Sequence, residues 1–78
     1  MKIKSGDVVT LSELGVITLN NAAMSINERI NLTRILKNGG SVRKVFDTHA
    51  EVTPFGDDGT IVNDFWICPT FKLASKSL

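Results

Sequence analysis

The spacing of apolar and polar residues changes character twice along this chain. Asp7-Val8-Val9-Thr10-Leu11 and Val16-Ile17-Thr18-Leu19 are short and rich in β-branched side chains. Each predicts a strand on a pleated, half-buried surface, with Glu13 to Gly15 as the turn between them. From Asn21 to Asn38 the period lengthens. Ser25-Ile26-Asn27-Glu28 has the form of a capping box, and Asn38-Gly39 supplies residues that tolerate the left-handed backbone just past a helix end. Between these signals Ile26, Ile30, Leu32, Ile35 and Leu36 make a broad apolar face bordered by Arg29, Arg34 and Lys37. Ile30, Leu32, Arg34 and Leu36 also fit a strand alternation, but the cap signals favour a helix between about Ser25 and Asn38.

After Gly39-Gly40 the strand pattern returns, with Val42 to Asp47 and Ala50 to Phe55 joined by an Asp47-Thr48-His49 turn. Gly56-Asp57-Asp58-Gly59 reads as a turn because glycine and aspartate tolerate positive φ. Thr60 to Ile67 follows as the last long strand. Pro69 offers no N–H to a ladder, so a break is expected at Cys68-Pro69-Thr70, with Phe71-Lys72-Leu73 resuming briefly and Ser75 to Leu78 as a loose tail. Neighbours in a strand point to opposite faces. That places Ile61, Phe65 and Ile67 in the core, and Val62, Asp64, Trp66 and Cys68 on the other face. Trp66 is then either covered by the helical segment or exposed as an anchor for a partner, and the usual burial of large aromatics favours the first. The expected architecture is one domain over residues 1–78, mainly β (α+β), with one inserted helix.

The two ends of the chain carry a resemblance. Lys4-Ser5-Gly6-Asp7-Val8-Val9-Thr10-Leu11 resembles the opening of small SH3-like β-barrel proteins, in which a Lys-x-Gly-Asp-x-Val run enters the first strand. Phe65-Trp66-Ile67-Cys68-Pro69-Thr70-Phe71-Lys72-Leu73 is similar to their closing element, an aromatic-rich strand, a proline-containing single turn and a short last strand. Gly40-Ser41-Val42-Arg43-Lys44-Val45 looks like their middle strand. The resemblance implies a small SH3-like barrel or a curled antiparallel sheet, of a kind common among bacteriophage and prophage gene products. The Asn21 to Asn38 segment departs from that pattern, being too long and too helical for a plain connecting loop.

Composition narrows the chemistry. The chain has 78 residues, 42% of them apolar, enough for one real core and no second. No apolar run exceeds four residues, so neither a signal peptide nor a membrane span is expected. Cys68 is the only cysteine, which excludes an intramolecular disulfide and favours a reducing cytoplasm (the host's, if phage-encoded). Its expected state is a buried, inert thiol. His49 is the only histidine, in an Asp-x-His pair with no nucleophile implied by spacing, and reads as a solvated turn residue. Asp57-Asp58-Gly59 lacks the alternating ligands of a calcium loop, and Gly39-Gly40 lacks the rest of a phosphate loop. No cofactor or metal is expected.

The net charge of +1 hides a split. Residues 29–44 contain Arg29, Arg34, Lys37, Arg43 and Lys44 and no acid; residues 45–64 contain Asp47, Glu51, Asp57, Asp58 and Asp64 and no base. Folding turns such a split either into two faces of opposite potential or into ordinary salt bridges. The expectation is a small non-enzymatic binding module whose main partner is a protein, in the manner of a phage or prophage accessory factor or inhibitor. The alternative is weak electrostatic binding of nucleic acid by Arg34, Lys37, Arg43 and Lys44 around the Asn38 to Ser41 turn. No aromatic interleaves that run in sequence. Those four residues and Trp66 are the candidate binding residues.

Overall fold

The computed structural model describes residues 3–21, 23–59 and 65–76. In chain order the elements are strand β1 (Val8–Leu11), helix α1 (Glu13–Leu19), helix α2 (Ile26–Asn38), strands β2 (Gly40–Val45), β3 (His49–Pro54) and β4 (Trp66–Pro69), a 3-10 turn (Thr70–Lys72) and strand β5 (Leu73–Ser75). The five strands form an open antiparallel sheet in the order β4-β3-β2-β1-β5, an α+β arrangement with two helices inserted between β1 and β2. None of the described helices is long and apolar enough to cross a membrane.

α2 forms where its caps predict. Ser25 Oγ accepts from the Glu28 N–H, and Gly39, at φ +84°, closes the helix with its N–H on Ile35 O. Only part of the expected apolar face is used: Leu32 and Ile35 are fully buried against β1 and β3, while Ile26, Ile30 and Leu36 are exposed. The core comprises these two leucine and isoleucine side chains with Val9, Leu11, Val42, Ala50, Val52, Cys68 and Leu73.

Several expectations are corrected. Val16 to Leu19 is not a strand and Glu13 to Gly15 is not a turn, because both belong to α1. Ser12 caps that helix, its Oγ accepting from the Gly15 N–H. Val16 and Leu19 lie one turn apart against the core, whereas Leu14 and Ile17 face outwards, which is a helical period. The inserted helices are therefore two, not one.

The faces of β4 are also reversed. Its register pairs Cys68 with Ala50 and Trp66 with Val52, and directly opposed residues share a face. Ala50, Val52 and Cys68 are fully buried, so Trp66 packs half-buried on the core while Phe65 and Ile67 face solvent. Ile61, Val62 and Asp64, and the Thr60 to Asp64 part of the expected strand, lie outside the described residues. The break expected at Cys68-Pro69-Thr70 is present, but Phe71 and Lys72 fall in the 3-10 turn and β5 starts at Leu73; Pro69 is the last residue of β4. It sits on an edge strand, where the missing N–H costs no inner ladder bond.

Ser75 is part of β5, and the Lys76 N–H donates to Val8 O, so the chain is tied to β1 that far along. The hairpin linking β2 and β3 closes with the Phe46 N–H on His49 O, and the turn after Phe55 with the Gly59 N–H on Gly56 O. A β-bulge between Val42 and Lys44 puts an extra residue, Arg43, into β2.

Candidate functional site

A concave region lies where the loop after β2 meets the 3-10 turn. Ile3, Val45, Phe46, Asp47, Thr70, Phe71 and Leu73 line a cleft of about 510 Å³ there. Its floor reaches Leu73, a core residue, while Phe46 and Phe71 stay 41% and 55% exposed. The walls are clamped by backbone bonds. Thr48 O accepts from both the Thr70 N–H (3.0 Å) and Thr70 Oγ1 (3.2 Å), which ties the β2–β3 loop to the turn. From the other side Ser12 donates its N–H to Lys72 O (2.9 Å) and its Oγ to Phe71 O (2.6 Å). Phe71 thus presents an exposed ring from a fixed backbone. Beneath it the Lys72 ammonium pairs with Glu28 of α2 at 3.0 Å and lies 5.7 Å from the Phe71 ring centroid.

The four candidate cations fall into two pairs on different elements. Arg34 and Lys37 of α2 border a second cleft, where Lys37 Nζ lies 3.5 Å from Asp57 Oδ1. Asp57 also accepts from Asn38 Nδ2 at 3.0 Å, and that bond, with Lys37 beside it, holds its carboxyl below the usual carboxylate range. Arg43 and Lys44 sit at the bulge of β2, Arg43 stacked 4.7 Å above the Phe65 ring and Lys44 5.2 Å from the Phe46 ring. The aromatic partners absent from the run in sequence are therefore supplied in space, by the entry to β4 and by the residue after β2. Lys44 also stands opposite Glu51 across the β2–β3 ladder. The charge split becomes a salt bridge at Lys37 and a cation–aromatic surface at the bulge.

Trp66 stands opposite Val52 on the inner face of β4. It is half-buried and packs on the core beside Val52 and Cys68, and the exposed aromatic residues are Phe46, Phe65 and Phe71. Phe46 and Phe71 were missed by sequence reasoning. The sequence pattern runs expected strands through both, Val42 to Asp47 and Phe71 to Leu73, whereas β2 ends at Val45 and Phe71 lies in the 3-10 turn. His49 does not pair with Asp47. Its Nδ1 is 2.6 Å from Thr48 Oγ1, and its ring is tilted against Phe46 at 6.3 Å between centroids.

Cys68 is buried, and desolvation pushes its thiol up from an ordinary 9.0 to about 12, with Lys72 pulling weakly the other way. The thiol is therefore protonated and inert at neutral pH. A raised folded-state pKa favours the fold while the thiol is protonated in both states. That contribution is complete below pH 9.0 and is lost as pH rises towards about 12. Native protein should react with a thiol reagent at pH 8 far more slowly than protein in denaturant; equal rates would place Cys68 at the surface.

A scan against protein-family models finds no match for this chain, and searches of curated proteins and of solved structures find none either.

Proposed function

We propose that this chain is a small non-enzymatic binding module that docks a protein partner in the cleft between Phe46 and Phe71. The observation that carries this reading is the pair of exposed phenylalanine rings at the mouth of a cleft whose backbone is already clamped from both sides. Holding the walls in place before binding lowers the ordering cost that otherwise offsets buried apolar area. Asp47 at the rim adds a polar group that fixes orientation.

The finer reading of the fold is an SH3-like barrel. The order β4-β3-β2-β1-β5 and the 3-10 turn between β4 and β5 support it, alongside the terminal motifs. The role of a phage or prophage accessory factor acting on a host protein in the cytoplasm rests on that resemblance alone. Capture from nuclease-treated bacterial lysate tests the function. A discrete set of proteins should be retained by the wild type and lost by Phe46→Ala/Phe71→Ala, since truncating such anchors costs about 2 kcal/mol or more. Identical capture by both proteins would remove the cleft from consideration.

A second reading, nucleic-acid binding, is favoured by one observation: Arg43 over Phe65 and Lys44 beside Phe46 set cations and rings side by side at the bulge. Such a surface would bind single strands loosely, with affinity falling steeply between about 50 and 200 mM salt. Retention unaffected by nuclease would exclude it as the source of captured material.

A further inference from the structure

The outer face of α2 lies apart from the Phe46–Phe71 cleft, and it is neither polar nor neutral. Ile26 and Ile30, one turn apart, are 76% and 44% exposed. Beside them Arg29, Ile30, Thr33, Arg34, Lys37 and Asp57 line an open cleft of about 390 Å³. We propose that this face is a second docking surface, whose occupant is an acidic amphipathic segment of a partner protein, its apolar side chains on Ile26 and Ile30 and its carboxylates on Arg34 and Lys37.

Charge complementarity names the occupant. The cleft holds three cations and one carboxylate. Arg29 is fixed in place, Nη1 donating to Leu19 O at 3.1 Å and Nη2 to Asn21 O at 3.0 Å. Carbonyl acceptors orient the guanidinium without cancelling its charge. Arg34 has no carboxylate within ion-pair distance among the described residues. The single carboxylate, Asp57, comes from the turn after β3 and rests 3.5 Å from Lys37 Nζ, with Asn38 Nδ2 donating to it. It occupies the place a partner's carboxylate would take, and so shows the chemistry this cleft accepts. Exposed isoleucines on successive turns add what a nucleic acid would not need: an apolar stripe at the spacing that helix-face recognition uses.

The test is fluorescence anisotropy on the full chain with a labelled peptide built of Glu, Asp, Leu and Phe in amphipathic order. A second peptide carries Ser for every Leu and Phe at the same charge, and a single-stranded oligonucleotide serves as a third probe. The amphipathic peptide should bind best of the three. Arg34→Glu and Ile30→Ser should each weaken it by about tenfold, the former through loss of a charge-assisted contact. Phe71→Ala should leave it unchanged, which separates this surface from the Phe46–Phe71 cleft. Asp57→Asn keeps the acceptor for Asn38 but removes the competing charge, so it should tighten binding several-fold, a gain that no folding defect can mimic. Equal binding of the serine peptide or the oligonucleotide, indifference to Ile30→Ser, or no gain from Asp57→Asn would each overturn the proposal.

Discussion

Gly15→Ala should destabilise this protein by about 2–3 kcal/mol, although the same change inside an exposed helix stabilises by roughly 1 kcal/mol. Gly15 is buried in the first turn of α1, where the helix meets the 3-10 turn backbone to backbone. A Cβ there would overlap Lys72 O and come within 3.2 Å of Leu11 Cβ. Lys72 O cannot easily withdraw, because it accepts the Ser12 N–H at 2.9 Å and Ser12 in turn caps α1. For a domain whose whole stability is on the order of 4–12 kcal/mol, such a loss is large. Urea melts should show a lower midpoint at unchanged slope. A midpoint equal to or above wild type would mean that α1 does not lie against the turn.

Glu28→Gln should cost about 3 kcal/mol, because it leaves the Lys72 ammonium buried without a counter-charge. The pair is 3.0 Å apart, with the lysine side chain 10% exposed and the glutamate 30%. That asymmetry matters. Lys72→Met leaves a carboxylate that water still reaches and should be the milder single change. The double variant Glu28→Gln/Lys72→Met removes both charges and should recover most of the loss, since a well-packed apolar replacement for a buried pair is often neutral. Thermal melts of the four proteins decide it. Additive losses in the double variant would show that the two side chains act independently.

α2 was legible because its determinants are local: Ser25, Asn38 and Gly39 lie within the element or at its ends, although the Glu28 side chain goes to Lys72 instead of closing the capping box. α1 was not. Val16-Ile17-Thr18-Leu19 has a strand's composition, and what makes it a helix is the Ser12 cap together with the close approach of Gly15 to Lys72, far along the chain. The faces of β4 failed for a related reason. Alternation gives two faces but not which of them is inward, and the pairing of Cys68 with Ala50 decides that. The candidate site was legible only in part. Arg34, Lys37, Arg43 and Lys44 were visible as a run, but topology divides them and gives the latter two aromatic neighbours. Phe46 and Phe71 become neighbours across a cleft only once Thr48 O holds the loop to the 3-10 turn.

Whether the Phe46–Phe71 cleft is where a partner docks is best read from amide chemical shifts. Isotope-labelled protein is titrated with the nuclease-resistant partner recovered by capture. The expected result is a set of shifts centred on Val45, Phe46, Asp47, Thr70 and Phe71, absent in Phe46→Ala/Phe71→Ala. Saturable binding that leaves those amides unmoved would contradict the account.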